Sequence, residues 1–168
     1  ITALLGLAQS DLEYGAAKLE ELSLNALLHD VAENFKANNG TALLRLEVIP
    51  NQAADHILLA NPTLLAIAIG NIISNGAKFS DGGPVNCSLY VSDDGAIIQI
   101  ADAGPGIPTE DQPFIFEPFY RSATSNNPAG TGMGLYMAKK IVTLFKGTLV
   151  LKASGPEGSV FELQFPSF

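Results

Sequence analysis

The sequence predicts an α+β fold, a two-layer α/β sandwich with about five strands in a mixed sheet and three helices on one face. Three observations carry this expectation. Apolar residues recur at helical spacing in segments 24–37, 61–79 and 132–146. Short alternating or apolar runs bounded by Gly, Pro, Asn and Asp fill the intervals, in mixed order and without internal repeats. The chain has 168 residues, enough for one domain with a sizeable core.

Taken in order, Ile1, Leu4, Leu5, Leu7, Ala8 and Leu12 form a helical stripe that reads as the end of a helix. A second copy or a further segment is needed to cover that stripe. The chain begins at Ile1 without a methionine, so a fragment of something longer is expected. Residues 15–21 read as a polar connector. Ser23 is placed to cap a helix over residues 24 to about 37, with Leu24, Leu27, Leu28, Val31 and Phe35 as its core face and Asn38-Asn39-Gly40 as its stop. Residues 43–49 alternate as a strand, and residues 57–60 read as a short buried one. Asn61-Pro62 starts the next helix, to about residue 79; residues 64–70 are apolar on all sides, which predicts a helix buried on the sheet. Strands over 85–91 and 96–101 follow, joined by Ser92-Asp93-Asp94-Gly95. The last segment supplies the helix over 132–146, a turn at Lys146-Gly147, and strands over 148–153 and 159–165 around Gly155-Pro156-Glu157-Gly158.

Hydrophobic residues make up 47% and charged residues 15%, the balance of a globular chain. The net charge of −8, from 17 acidic and 9 basic residues, argues against binding nucleic acid or an anionic membrane, since both need a basic face. A polyphosphate ligand would need local Lys, Arg, backbone N–H groups or a metal to overcome that field. Cys87 is the single cysteine, so no internal disulfide forms, and it reads as a packed strand residue. No run reaches the roughly 18 apolar residues of a membrane helix; the nearest, 57–73, is broken by Asn61, Pro62 and Asn71.

The chemistry is concentrated between Asp102 and Leu135, which runs DAGPGIP, IFEPFYR and GTGMGL around a polar loop. Glycine-rich turns pack poorly, and their use is close approach of backbone to a ligand. The second turn, with Gly130, Gly132 and Gly134, opens a helix and so presents unpaired N–H groups and a positive dipole end, the arrangement that receives phosphate. Residues 122–130, SATSNNPAG, read as a mobile lid. Asn71, Asn75 and Lys78, at i, i+4 and i+7, share one face of an otherwise apolar helix. A polar stripe on a buried helix needs partners. Loop or solvent contacts at the helix edge are one reading; beside a phosphate turn, a ligand-facing stripe is the preferred one. Amide oxygens suit a hard cation such as Mg²⁺, and the Lys suits a phosphate oxygen.

Together these motifs resemble the ATP-binding catalytic domain of sensor histidine kinases, a Bergerat fold shared with gyrase, the mismatch-repair MutL proteins and a heat-shock chaperone. NIISNGAKFS is similar to the N box, DAGPGIP to the first glycine box, IFEPFYR to the F box and GTGMGLYMAKKIV to the second glycine box, in the family's order. LLGLAQSDLEYG is similar to the end of the preceding dimerisation helix, which divides the chain into residues 1–15 and a catalytic domain over 16–168. The resemblance implies ATP and Mg²⁺ as ligands. It implies that Asp102 accepts a hydrogen bond from the adenine amino group and so selects against guanine. Gly104 and Gly106 would let the loop pass close to the base beside Ile107, and Phe79 would lie against adenine. Asn75 would hold Mg²⁺, Asn71 would support metal and phosphates, Lys78 would pair with a phosphate, and Arg121 would reach in from the lid. Gly130, Gly132 and Gly134 would cradle the phosphates, joined at the nucleotide by Thr131, Met133 and Leu135.

Each role has a plainer competitor. Asp102 also suits a turn cap. Phe114, Phe116 and Phe119 read as packing at the base of the lid, Lys139 and Lys140 as a solvated helix face, and Glu110, Asp111 and Glu117 as structural. Gly76 stands where the family usually has alanine, at about 1 kcal/mol of helix stability.

In hydrolysing relatives a glutamate four residues before the metal-binding Asn activates water; here Asn71 holds that position, and an amide is no general base near neutral pH. The expectation is therefore phosphoryl transfer by positioning and charge neutralisation, with hydrolysis suppressed. The implied acceptor is a histidine on the dimerisation helices. His29-Asp30 imitates an acceptor pair, but the following Val31-Ala32-Glu33-Asn34-Phe35 lacks the family's proline, so the chain is expected to bind ATP without phosphorylating itself. The implied partners are the dimerisation domain, a response regulator and a second copy of the full-length protein; the need for ATP implies a cytoplasmic location. The alternative is an ATP-dependent binding module without transfer, and a hydrolase is third.

Overall fold

A computed structural model of the chain describes residue 10 and residues 18–40, 43–50, 55–123 and 130–167. The helical stripe at the N-terminus and most of the lid lie outside the described residues.

Helix α1 (Leu24–Asn39) starts where expected, with Ser23 Oγ accepting the Ala26 N–H at 3.0 Å. A carboxylate from elsewhere reinforces that cap: Asp55 accepts from the Asn25 N–H at 3.2 Å and from the Ser23 hydroxyl. The helix runs past the expected stop because the amides of Asn38 and Asn39 bond back to the carbonyls of Asn34 and Phe35 and continue the turn. Helix α2 (Pro62–Phe79) has the predicted bounds, with Asn61 Oδ1 accepting the Leu64 N–H at 3.0 Å and Pro62 in the first turn. Helix α3 (Gly134–Leu144) is the shorter final helix.

Five strands form the mixed sheet: β2 (Leu44–Pro50), β4 (Val85–Ser92), β5 (Gly95–Ala101), β7 (Gly158–Pro166) and β6 (Thr148–Gly155), in that spatial order. Only the β2/β4 pair is parallel. The inner face carries Val85, Cys87 and Leu89 of β4, Ala96, Ile98 and Ile100 of β5, and Phe161, Leu163 and Phe165 of β7, all buried against the helices. Helix α2 packs against α1, α3, β4 and β5, at the centre of the helical layer. Burial pushes the Cys87 thiol up to about 12, which leaves it inert, as its place in a strand suggested.

Three expectations need correction. Residues 57–60 form β3 (Ile57–Ala60), but outside the main sheet and half-exposed: β3 pairs antiparallel with β1 (Glu20–Ser23), burying Leu58 and Ala60 while Ile57 and Leu59 stand 50% and 51% exposed. Strand β1 occupies the end of the expected connector, and it escapes a pattern reading because Leu22 is its one buried apolar residue. Helix α2 is not buried all round; Ile67 is 45% exposed on the side that neither sheet nor neighbouring helix covers.

Candidate functional site

The C-terminal half of α2, the loop after β5 and the opening of α3 converge on one cleft of about 760 Å³. Asn71, Asn75 and Lys78 line it, as their spacing on one helix face requires, together with Phe79. Asp102, Gly106 and Ile107 line it from the loop after β5; Arg121, Gly130, Thr131, Gly132, Gly134 and Leu135 line it from the lid ends and α3. Of the residues singled out from sequence, Gly104 and Met133 do not border the cleft. Met133 instead accepts the Met137 N–H at 2.9 Å and begins the helical ladder of α3.

Asp102 is half-buried at the end of β5. Its Oδ1 accepts two backbone N–H groups, from Gly104 at 2.9 Å and Ser159 at 3.2 Å, leaving Oδ2 without a hydrogen bond among the described residues. Desolvation raises its pKa, opposed by those two backbone donors. The loop behind it fits the chain's own backbone closely. A Cβ on Gly104 would lie 2.9 Å from the Phe79 carbonyl oxygen. Gly106, at φ +80°, abuts the hairpin between β6 and β7, where a Cβ would come within 2.2 Å of the Gly155 oxygen. Gly76 belongs to the same wall, since an alanine Cβ there would sit 3.2 Å from Asp102 Cβ and 3.3 Å from Val85 Cγ2. An apolar surface including Ile107, Ile115 and Phe161 completes this end.

The opposite end carries amide and cationic groups. Asn71 Nδ2 donates to the Gly134 carbonyl at 3.2 Å, joining α2 to the start of α3 and leaving its amide oxygen without a partner among the described residues. Asn75 makes no side-chain hydrogen bond among those residues, and the Lys78 ammonium lies 5.4 Å from the Phe79 ring centroid. The first N–H groups of α3 have no intrahelical partner. The backbone on either side of residues 122–130 is joined where the Phe119 N–H donates to the Gly132 carbonyl at 3.0 Å.

Several contributors were not legible as site residues. Asp111 lines the cleft and accepts both the Tyr120 hydroxyl, at 2.5 Å, and the Ser122 hydroxyl, which holds its pKa below the usual carboxylate value. Ser80 Oγ donates to the Gly76 carbonyl at 2.7 Å and accepts the Ala103 N–H at 3.0 Å. Ser154 Oγ accepts the Ile107 N–H at 2.7 Å. Isolated serines at strand and helix ends carry no pattern that would single them out. Lys139 is more than a solvated residue, for its ammonium sits 4.5 Å from the Phe116 ring centroid, and Phe116 packs edge-on against Phe161.

The donor set fits a magnesium nucleotide better than a bare metal. No group of three or more His, Cys, Asp or Glu side chains forms a metal site among the described residues. Mg²⁺ characteristically takes one or two protein oxygens and completes its shell with phosphates and water, which matches the amide oxygens of Asn71 and Asn75, unpartnered among the described residues and on the cleft wall. Asp102 lines the same cleft as Ile107, Ile115 and Phe161 and keeps Oδ2 without a hydrogen bond among the described residues, which fits an acceptor for a planar amine.

The family described as histidine kinase-, DNA gyrase B- and HSP90-like ATPase matches residues 60–167. The sensor histidine kinase RppB of Synechocystis is 32% identical over 171 residues, covering 100% of this chain and 37% of that protein. YxdK of Bacillus subtilis, another sensor histidine kinase, is 28% identical over 153 residues, 88% of this chain and 46% of its own length. The chain thus spans less than half the length of these relatives. Among solved structures, the mycobacterial sensor histidine kinase MprB superposes with a TM-score of 0.74 at 27% identity, covering 89% of this chain and 97% of that one. ShkA, crystallised full-length in complex with AMPPNP, shares the fold with a TM-score of 0.72 at 22% identity, over 88% of this chain and 30% of that one. With an N-box helix, two glycine-rich loops and a mixed sheet in the family's arrangement, the chain belongs to the histidine kinase-, DNA gyrase B- and HSP90-like ATPases, as a catalytic domain of the sensor histidine kinase type.

Proposed function

We propose that the chain binds ATP with Mg²⁺ and positions its γ-phosphoryl group for transfer to a histidine on dimerisation helices, with hydrolysis suppressed. The observation that carries this reading is Asn71, on the face of α2 that borders the cleft, where hydrolysing relatives carry a glutamate. The carboxylates bordering the cleft among the described residues are Asp102 and Asp111. Asp111 has both oxygens occupied by hydroxyl donors and a lowered pKa, so it is a poor base for activating water. Asp102 holds the adenine amino group through Oδ2. Asn71 and Asn75 offer amide oxygens to the metal, which supplies neutralisation of the phosphate charge. Lys78 and Arg121 carry positive charge beside the phosphates, and the N–H groups opening α3 orient them. Gly104 and Met133 act from behind the cleft, by backbone packing and by starting α3.

Residues 1–15 are proposed as the end of the dimerisation helix and residues 16–168 as the catalytic domain. The full-length protein is then a homodimer that serves a response regulator, with this domain in the cytoplasm where ATP is available. Supplying the missing dimerisation helices together with γ-labelled ATP and Mg²⁺ tests the reading. Label on the helices, lost when their histidine is replaced, is the expected result. Nucleotide binding without transfer would leave a binding module, and steady phosphate release without an acceptor would make the domain a hydrolase.

A further inference from the structure

The hairpin joining β6 and β7 reads in sequence as an ordinary turn, yet it forms the back wall of the base end of the cleft. Ser154 and Ser159 are register partners across its mouth, with hydroxyls 3.0 Å apart. Ser159 is 3% exposed and clasps Asp102 twice: its N–H donates to Oδ1, and its carbonyl accepts the Asp102 N–H at 2.9 Å. Ser154 Oγ accepts the Ile107 N–H at 2.7 Å, five residues further along the same loop. The two ends of the loop thus hang on one pair of serines. The backbones interlock at the same place, since a Cβ on Gly158 would lie 1.9 Å from the Asp102 oxygen and one on Gly106 would lie 2.2 Å from the Gly155 oxygen. Gln112 Nε2 holds the other side of Ile107 through its carbonyl at 3.0 Å.

The geometry points to Ser154 as a positioning residue for base recognition, whose hydroxyl fixes Ile107 against the hairpin at the spacing from Asp102 that an adenine ring requires. This inference rests on the nucleotide reading above and extends it to a strand outside the four motifs. Strand preference does not explain the serine, because a β-branched residue suits a strand better. Removing the hydroxyl strands the Ile107 N–H and takes a partner from Ser159 Oγ, and an orphaned donor costs more than a lost bond between exposed groups.

The test compares Ser154→Val with Ser154→Thr, which share a shape and differ by the hydroxyl, in calorimetric titrations with magnesium AMPPNP and in thermal melts. The expected result is about tenfold weaker binding by Ser154→Val and affinity within about twofold of wild type for Ser154→Thr. Wild-type affinity in Ser154→Val, or an equal loss in both variants, would overturn the role of the hydroxyl. Failure of the wild-type chain to bind AMPPNP at all would instead strike the nucleotide reading on which it rests.

Discussion

At the end of the cleft proposed for the base, one oxygen of Asp102 is held by two backbone N–H groups, and the loop after it is tied to Ser80, Ser154 and Gln112. At the end proposed for the phosphates, by contrast, Asn75 has no side-chain hydrogen bond among the described residues, and the Lys78 ammonium lies over the ring of its neighbour Phe79. The difference matches what the proposed function asks of each end. A planar base is distinguished by the direction of one hydrogen bond, so its acceptor has to be fixed before the ligand arrives. A polyphosphate brings its own charge and counterion. Groups left unpaired for it lose little when they rearrange on binding.

The largest effect should come from breaking the base end from beneath. Gly158 and Gly130 share φ +130°, but a Cβ on Gly158 meets the Asp102 backbone oxygen at 1.9 Å, whereas one on Gly130 meets the flexible tip of Lys78 at 2.7 Å. Backbone strain at such angles is of order 1–3 kcal/mol for either alanine. Gly158→Ala adds an irreducible clash and is expected to lose about 3 kcal/mol or more in urea unfolding, well beyond the loss in Gly130→Ala. Equal losses would remove the contrast in rigidity between the two ends.

Next, Asp102→Ala should weaken AMPPNP binding about a hundredfold by calorimetry, because it removes a charged acceptor in a desolvated pocket. Lys78→Met should cost less, about tenfold, and its loss should shrink as salt rises because the partner is a charge near solvent. A Lys78→Met loss as large as that of Asp102→Ala and insensitive to salt would reverse the ranking of the two ends.

Acid sharpens the same comparison. Burial raises the Asp102 pKa, and with Oδ1 occupied by two donors the added proton goes to Oδ2, turning the proposed acceptor for the adenine amino group into a donor. Affinity for AMPPNP should therefore fall as pH drops through that raised value, beginning above the ordinary 3.8, while Asp102→Ala shows no such step. In the free chain the sign is opposite: a carboxyl with a raised folded pKa favours the folded state at low pH and loses that contribution as pH rises through the folded value. The smallest effect belongs to His56, away from the cleft. Desolvation lowers its pKa despite the nearby Asp55, and its Nε2 is buried without a hydrogen-bond partner among the described residues. Its contribution to stability is complete above 6.5 and is lost as pH falls through the lowered value, so His56→Leu should flatten the melting temperature between neutral pH and mild acid.

Much of this was legible because it is local. Asn61, Pro62 and the apolar run after them define α2 within one turn of its observed bounds, and the i, i+4, i+7 spacing of Asn71, Asn75 and Lys78 places them on one cleft wall. Strand β1 was not legible, since a four-residue segment with Leu22 as its one buried apolar side chain has no period to detect. The partners of Asp102 were equally hidden, because Ser159 lies 57 residues away and acts through its backbone.

The sequence by itself determined the helices, the central strands, the two glycine turns and the polar stripe, since each depends on spacing and capping within a few residues. Only the tertiary structure decided that β3 leaves the main sheet to pair with β1, that Gly106 and Gly158 are needed by neighbouring backbone, and that one oxygen of Asp102 has no hydrogen bond among the described residues. Those outcomes depend on segments far apart in the chain meeting at van der Waals distance, and no local pattern encodes such a contact.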